Sequence, residues 1–234
     1  MIKKLNQNKS TYFDFKKSTS LDPFNLSMYA GWNSLIVIKL NLDKDQDLTS
    51  DFIKIKLSEI YNKEKILVVV KGILKISIKK KHFFLKEFDA LNFFSNEYKI
   101  KCKENTIAYL VSAVDSSIYK NDSVFFNFKN DIEPKDLWGG QCISRIYVGE
   151  SLNLVMFDLK PGFKFKDRGH SNEQITWVIE GEMDFYANKI EKKLNQFNGV
   201  DIGENDEHGG ISNGAIGFDA FYPKREEKKY NENL

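Results

Sequence analysis

The chain has 234 residues, of which 41% are hydrophobic and 14% aromatic, enough to build one large domain or two of ordinary size. Its 35 basic and 33 acidic residues leave a formal net charge of +2, and the lysines are scattered among acidic residues. A nucleic-acid-binding protein would concentrate basic residues on one face, so this composition argues against nucleic acid as a partner.

The amino-terminal stretch MIKKLNQNKSTYFDF starts with basic residues but contains no continuous apolar segment. It therefore predicts neither a secretory signal nor a membrane-spanning helix, and we expect a cytoplasmic protein with no membrane partner. The two cysteines, Cys102 and Cys142, are then expected to be reduced thiols that serve in packing.

Short apolar runs rich in β-branched and aromatic residues follow one another along the chain. The runs SLIVIKL, KILVVVK and TIAYLVSAV are separated by Gly, Asn, Asp and Lys, and no long segment has helical periodicity. Residues 114–137 interrupt this pattern with polar and turn-forming residues, although their SVFFNF stretch is apolar enough to add a strand. Many short strands at regular spacing predict an all-β sandwich or barrel.

Two segments of the chain are similar at a constant offset without a gap. Residues 64–93 begin EKILVVVKGILKIS, and residues 173–202 begin EQITWVIEGEMDFY. Gly72 matches Gly181, and each stands between two strand-like runs, where glycine permits the positive φ of a tight hairpin. Such self-similarity predicts two copies of one module.

The repeat and the polar interruption together predict the domain organisation. We expect a first barrel over residues 1–113, a linker over residues 114–137, and a second barrel over residues 138–234.

The second copy contains PGFKFKDRGHSNEQITWVIEGEMDFY and, further on, LNQFNGVDIGENDEHGGISNGAIGFDAFYPKRE. This pair of stretches resembles the cupin superfamily, in which a Pro-Gly turn leads into a histidine-x-histidine pair. A Glu or Gln then follows four residues after the second histidine, and a later stretch supplies another histidine. The resemblance covers residues 140–226 well and residues 31–113 only through the repeat. It implies two tandem cupin barrels of the jelly-roll type and, because cupins commonly dimerise through sheet edges, a homodimer.

The resemblance also implies a metal site. Carried over by position, His170, Gln174 and His208 would hold a divalent transition metal such as Fe, Mn, Ni or Zn. Alternate residues of a strand face the same side, so barrel strands can aim imidazoles and an oxygen donor at one interior point. The alternative for these residues is a metal-free pocket in which the histidines are hydrogen-bonded.

Arg168 stands where the motif has its first histidine, and a guanidinium has no lone pair to donate to a metal. It either clamps a substrate carboxylate or turns outward. Tyr147 and Tyr186 are further candidates for binding substrate, on strand parity alone. His82, the third histidine of the chain, has no counterpart in the motif and is interpreted as a surface or strand residue.

The first copy lacks the candidate ligands. The four corresponding positions hold Glu59, Tyr61, Lys65 and Lys99. An ammonium in place of Gln174 would repel a cation, so the first barrel is predicted to be structural.

The last apolar run, GFDAFYPKRE, resembles the end of KdgF-like cupins, which help convert the unsaturated uronates of pectin and alginate breakdown into linear keto sugars. This resemblance implies catalytic roles for Asp219, Phe221 and Arg225, with Arg225 holding a substrate carboxylate. The alternative is a strand with a buried, hydrogen-bonded aspartate and a surface arginine.

These features predict a metal-assisted isomerase or ring-opening enzyme of carbohydrate metabolism, acting on a small carboxylated sugar or keto acid. Asp219 would move a proton while the metal polarises an oxygen of the substrate, and no organic cofactor is required. Two alternatives stay open, and with them whether the protein is an enzyme. One is a metal-free cupin that binds a sugar or other small molecule, and the other is an iron-dependent dioxygenase.

Overall fold

The structure is a computed structural model, and it describes residues 9–16, 26–31, 34–49, 60, 62–116 and 122–226. Nineteen β-strands and no α-helix occur in these residues, which confirms the predicted all-β class. None of the described residues belongs to a helix with the length and apolar character needed to cross a membrane. Cys102 and Cys142 are both buried free thiols, as predicted.

The chain forms two compact units. The unit that we call the C-terminal barrel comprises Met1–Lys16, Ala30–Leu35 and Ile132–Leu234, and the N-terminal barrel comprises Lys17–Tyr29 and Ile36–Asp131. The prediction of two barrels is confirmed.

The N-terminal barrel contains two antiparallel sheets. Its strands are β2 (Leu26–Ala30), β3 (Leu35–Leu42), β4 (Asp47–Thr49), β5 (Lys65–Lys71), β6 (Leu74–Ile78), β7 (Lys81–Leu85), β8 (Asp89–Phe93), β9 (Tyr98–Cys102), β10 (Thr106–Ala113) and β11 (Val124–Asn127). The strand order is β11-β8-β5-β10-β3-β2 in one sheet and β4-β9-β6-β7 in the other. Alternation sets the faces: in β9, Tyr98, Ile100 and Cys102 are buried while the lysines between them face outward.

The C-terminal barrel is formed by one nine-stranded sheet. Its strands are β1 (Thr11–Asp14), β12 (Lys135–Asp136), β13 (Cys142–Val148), β14 (Asn153–Leu159), β15 (Lys164–Asp167), β16 (Glu173–Ala187), β17 (Ile190–Asn195), β18 (Asn198–Ile202) and β19 (His208–Tyr222). The order is β1-β18-β16-β19-β14-β13-β12, with β15 paired to β19 and β17 paired to β16. Strands β16 and β19 have 15 residues each and are the longest of these strands, so most side chains of the site lie on them or on the strands they pair with.

The two units differ in detail from the predicted division at 1–113, 114–137 and 138–234. Strand β1 pairs with β18 and so belongs to the C-terminal barrel, although it precedes the other strands in the sequence. The predicted linker contains two strands, because β11 adds to the edge of β8 and β12 adds to β13. The apolar SVFFNF stretch therefore completes a sheet of the N-terminal barrel.

The internal repeat extends through the whole second half of each barrel. The offset of 109 residues that relates Glu64 to Glu173 places β8 on β18, and it places β10 on the last half of β19. Even the unusual backbone conformations are repeated, since Phe88 and Phe197 have φ of 63° and 73°. Left-handed conformations are unfavourable for bulky residues, so their repetition shows that the two copies share one backbone path.

Gly72 and Gly181 both have positive φ, of 84° and 74°, as predicted. Gly72 lies in the turn between β5 and β6, which belong to different sheets, and β16 continues through Gly181, so the hairpins predicted at both glycines are wrong. The register between β16 and β19 shifts on either side of Gly181, which lets one strand bend instead of ending. A Cβ at this position would collide with the carbonyl oxygen of Gly214.

Candidate functional site

The C-terminal barrel contains a cavity of about 120 Å³. Eleven of its nineteen lining residues are apolar, and six of these are aromatic: Trp138, Phe157, Phe163, Phe165, Phe185 and Phe221. The polar lining consists of Ser144, Lys166, Asp167, Gln174, Thr176, His208, Asp219 and Arg225. The cavity thus combines an apolar wall with a set of ionisable and amide groups.

Strand pairing between β16 and β19 places four of the lining side chains. Gln174 lies opposite Phe221, and Thr176 lies opposite Asp219, in an antiparallel register. Residues two apart on a strand face the same side, so both pairs face the interior of the barrel.

Strand β15 and the loop after it bring in a second group. Asp167, the last residue of β15, lies opposite His208, the first residue of β19. The loop then turns at Gly169, whose φ is 98° and whose missing side chain leaves room for the carbonyl oxygen of Asn205. A backbone hydrogen bond of 2.9 Å from Asn205 N–H to the His170 carbonyl fixes the loop, and His170 turns toward His208. The two imidazole centroids are 5.4 Å apart.

Each of these two histidines has one ring nitrogen engaged by a backbone carbonyl. Nδ1 of His208 lies 2.9 Å from the Asp206 carbonyl oxygen, and Nδ1 of His170 lies 3.0 Å from that of Asn172. A carbonyl can only accept, so Nδ1 of His208 carries the proton and its Nε2 presents a lone pair when the ring is neutral. His170 has the same arrangement when the single proton of its neutral ring is on Nδ1. This is the arrangement that metal-binding histidines usually have.

Gln174 supplies an oxygen to the same cluster. Its Nε2 donates to Thr176 Oγ1 at 2.9 Å and to Asp219 Oδ1 at 3.2 Å, which directs its Oε1 to within 2.8 Å of His170 Nε2. When neutral His170 carries its proton on Nδ1, two lone pairs therefore face each other. A cation bound by both atoms would remove this repulsion.

Asp167 completes the cluster. One ligand atom each of Asp167, His170 and His208 can be chosen so that all three lie within 4.8 Å of one another. The carboxylate is held in place, because Oδ1 accepts the Gly169 N–H at 2.8 Å and Oδ2 accepts from Arg225 at 3.2 Å. Two imidazoles, one carboxylate and one amide oxygen are a donor set that suits a divalent transition metal, so these residues fit the metal that the sequence resemblance implies.

The charges in the cluster favour ligation. Burial, with smaller contributions from Arg225 and His208, lowers the pKa of His170 to about 4. Burial also lowers the pKa of His208, so both rings are neutral near pH 7. Burial would raise the pKa of Asp167, but His208, the Gly169 N–H and Arg225 outweigh it and hold that pKa below its usual value. The cluster thus offers two neutral imidazoles and an ionised carboxylate.

Asp219 lies deeper in the same cavity. Its Oδ1 accepts hydrogen bonds from Thr176 Oγ1 at 2.5 Å and from Gln174 Nε2. Burial raises the pKa of Asp219 to about 6, against the opposing effect of these two hydrogen bonds and of Arg225. A carboxylate with a pKa near neutrality is a better proton acceptor than an ordinary aspartate.

The structure brings together six of the nine residues predicted for the site. His170, Gln174, His208, Asp219, Phe221 and Arg225 meet at or beside the cavity. Arg225 is buried rather than a surface residue, with its guanidinium carbon 5.7 Å from the centroid of the Phe221 ring.

The other three residues lie outside the lining of the cavity. Arg168 is exposed, because the strand alternation that points Asp167 inward points its neighbour outward. Tyr147 has the opposite parity to the inward-facing Ser144 on β13. Tyr186 follows the inward-facing Phe185 and lines a separate surface groove.

Sequence reasoning missed Asp167 and most of the aromatic wall. Phe163, Phe165 and Asp167 are two residues apart and line the same cavity. Because every second residue of a strand faces the same side, two apolar residues at 163 and 165 already indicate that Asp167 faces the interior. The motif comparison instead directed attention to Arg168, the next residue.

The N-terminal barrel holds two of the four predicted counterparts within the described residues. Lys65, the counterpart of Gln174, is fully buried, and its Nζ donates to the Lys63 carbonyl at 2.8 Å. Lys99, the counterpart of His208, is about half-exposed and pairs with Asp47 at 2.6 Å. Glu59 and Tyr61 lie outside the described residues.

Several solved structures are similar to this chain over most of its length. Protein YlbA from Escherichia coli is 11% identical with a TM-score of 0.74, and the match covers 94% of this chain and 93% of that one. A cupin 2 conserved barrel domain protein from Leptotrichia buccalis is 14% identical with a TM-score of 0.63, covering 91% of this chain and 96% of that one. Oxalate decarboxylase from Lactobacillus farciminis, solved as a formate complex, is 11% identical with a TM-score of 0.65, covering 94% and 89%.

No family model and no curated protein matches the sequence. The structural matches show that the chain has the cupin fold, with two jelly-roll barrels.

Proposed function

We propose that the C-terminal barrel is the metal-dependent active site of an isomerase-type enzyme, which moves a proton on carbon next to the carbonyl or hydroxyl group of a small carboxylate. The observation that carries this proposal is that one cavity contains both a set of candidate metal-binding residues and a candidate proton acceptor. A metal-ligand cluster lies at Asp167, His170, Gln174 and His208, and an aspartate with a raised pKa lies one hydrogen bond away from Gln174.

The cluster residues would hold the metal, and the metal would polarise a substrate oxygen and so acidify the neighbouring C–H group. Asp219 then accepts the proton and returns it, at the same carbon or at its neighbour. Thr176 and Gln174 fix the direction of this carboxylate through their bonds to Oδ1. Arg225 keeps a positive charge at the same end of the cavity, which attracts an anionic substrate.

The carboxylate specificity has a precedent among proteins of this fold. Oxalate decarboxylase, one of the structural matches, is named for a small dicarboxylate and was solved with formate. We extend to this chain only the general idea that a cupin barrel can take a small organic acid, in line with the buried guanidinium of Arg225.

The test is exchange of substrate protons with solvent deuterium, followed by proton NMR. Metal-containing protein is incubated in D₂O with pyruvate, 3-methyl-2-oxobutanoate or D-galacturonate, each of which has an exchangeable C–H next to a carbonyl group. We expect exchange on at least one compound, and a loss of about 10² to 10⁴-fold in Asp219→Asn with metal content unchanged. Asp184→Asn, which changes an exposed aspartate of the same barrel, is the control.

Two results would contradict the proposal. One is the absence of exchange on all three compounds in protein that carries a full equivalent of metal. The other is undiminished exchange in Asp219→Asn.

A second candidate is an iron-dependent oxygenase. The observation in its favour is Asp167, which gives the two-histidine, one-carboxylate set typical of non-haem iron oxygenases. Turnover that requires dissolved oxygen and consumes it in proportion to product would favour this candidate, whereas proton exchange under nitrogen favours the isomerase.

A further inference from the structure

We infer that the ligand of this cavity is a small 2-oxo or 2-hydroxy acid with a branched apolar body, and that the site discriminates against polyhydroxylated sugar acids. This inference rests on the proposed function, since it places the carboxylate and the 2-oxygen of the small molecule beside the metal-binding residues. It differs from the uronate that the sequence resemblance implies.

A continuous series of aromatic rings extends along the cavity to the metal-binding residues. Trp138 contacts Phe163 with ring centroids 5.0 Å apart, and Phe163 stacks on Phe165 at 5.9 Å. Phe165 contacts Phe185 at 6.0 Å, and Phe185 stacks on His208 at 6.2 Å. A ligand whose oxygens bind beside His208 therefore has aromatic rings next to its carbon body.

Away from the metal-binding residues and from Thr176, Asp219 and Arg225, the lining is also poor in partners for hydroxyl groups. Phe157, Leu159 and Met183 add further apolar surface. Of the polar groups outside the cluster and its neighbours, Ser144 lies 3.6 Å from the Cys142 thiol, and Lys166 is paired with Glu207 at 2.8 Å. The several hydroxyl groups of a sugar acid would be desolvated against phenyl rings without replacement hydrogen bonds, which weakens binding.

The size of the cavity points the same way. Its volume is about 120 Å³, and an apolar protein cavity of about 150 Å³ accepts benzene, with six heavy atoms. The three or four heavy atoms of an isopropyl or isobutyl group therefore fit in the cavity, whereas the larger body of a hexuronate would extend out of it.

Isothermal titration calorimetry on the metal-containing protein tests the inference with three probes: 3-methyl-2-oxobutanoate, pyruvate and D-galacturonate. Each buried methyl group raises affinity about fourfold, so we expect 3-methyl-2-oxobutanoate to bind at least tenfold more tightly than pyruvate. D-galacturonate is expected to bind at least tenfold more weakly than 3-methyl-2-oxobutanoate.

A variant sharpens the measurement. Phe157→Leu shortens a side chain of the apolar wall and so enlarges the cavity. It is expected to shift preference at least threefold toward the longer 4-methyl-2-oxopentanoate, relative to 3-methyl-2-oxobutanoate. Phe84→Leu, at an exposed phenylalanine of the N-terminal barrel, is the control and is expected to leave the ratio unchanged.

The inference is overturned if D-galacturonate binds as tightly as the branched acid, if pyruvate does, or if none of the three binds. The proposed function fails by a different result, namely the absence of metal-dependent proton exchange. Protein that exchanges a galacturonate proton through Asp219 and binds no branched acid would retain the function and reject the ligand class.

Discussion

The N-terminal and C-terminal barrels share a backbone but differ in what their strands place inside it. In the C-terminal barrel, β16 and β19 place Thr176 opposite Asp219. At the same positions of the repeat, β5 and β10 of the N-terminal barrel place Leu67 opposite Leu110, and both leucines are fully buried. The same cross-strand site thus holds a polar pair in one copy and a hydrophobic pair in the other.

The comparison teaches that the fold and the chemistry depend on different residues. Turns and left-handed positions recur at a constant offset, and they keep the strands in register in both copies. The interior positions are free to change, provided that each buried group has a partner or is apolar. In the N-terminal barrel, Lys65 buries an amine where the other copy has Gln174, and this amine donates to the Lys63 carbonyl.

The largest effect is expected from placing the polar residue of one barrel into the other. Leu110→Asp buries a carboxylate in an apolar interior, with Leu67 as its cross-strand neighbour, and we expect a loss of about 3 to 5 kcal/mol in the free energy of unfolding. Leu110→Met, which conserves volume, should cost less than about 1.5 kcal/mol. Urea titrations measure both, and equal stability of the two variants would mean that the N-terminal interior tolerates charge.

A smaller effect, of opposite sign, is expected at Lys65. Burial lowers its pKa from 10.5 to about 7. Between these two pH values the unfolded chain binds more protons than the folded one, so the stability of the wild type rises with pH across this window. Lys65→Met removes the penalty and should stabilise the protein by about 2 kcal/mol at pH 6, since each pKa unit corresponds to about 1.4 kcal/mol and lost contacts offset part of the gain.

The gain from Lys65→Met should shrink as the pH rises from 7 toward 10. Lys99→Met is the matched control, because Lys99, the counterpart of His208, is about half-exposed. Its ion pair with Asp47 contributes less than about 1 kcal/mol to the free energy of unfolding. Urea unfolding at pH 6, 8 and 10 gives the three differences. A pH-independent gain at Lys65 would show that its amine is not desolvated in the folded state.

A further effect concerns Asp167, the neighbour of Arg168, which stands where the motif has its first histidine. Asp167→Asn keeps the shape but loses the charge, and we expect metal affinity to fall about 10 to 100-fold in a competition titration with a chromophoric chelator. Arg168→Ala, at the exposed neighbouring residue, should change affinity less than twofold. The reverse order of effects would restore Arg168 as the functional residue and remove Asp167 from the ligand set.

Sequence reasoning anticipated the features that depend on short-range patterns. Alternating apolar residues predicted the strands, and the repeat predicted the second barrel and the positive φ of Gly72. The motif placed His170 and Gln174 four residues apart, and the two side chains are in contact. The motif also predicted that His208 lies beside them, as it does. The roles of these residues as ligands remain predictions.

What could not be predicted depends on contacts between distant residues or on a single backbone angle. Pairing of β1 with β18 joins segments almost 190 residues apart, and nothing in the sequence TYFD names its partner. Strand β15 ends at Asp167, just before Gly169 turns the chain. This end point determines that Asp167, and not Arg168, faces the interior. The aromatic wall gathers rings from β14, β15, β16 and β19, each of which looks like ordinary core by itself.

The central claim is that His170 and His208 bind one metal ion in the C-terminal barrel. Protein purified without chelators is analysed for transition metals by mass spectrometry, alongside the double variant His170→Ala, His208→Ala and the control His82→Ala, at the exposed third histidine. We predict about one equivalent of metal in the wild type and in His82→Ala, and less than a tenth of an equivalent in the double variant. Wild-type protein that takes up no metal even when Mn²⁺, Fe²⁺, Ni²⁺ and Zn²⁺ are supplied, or a double variant that retains the full equivalent, would contradict the account.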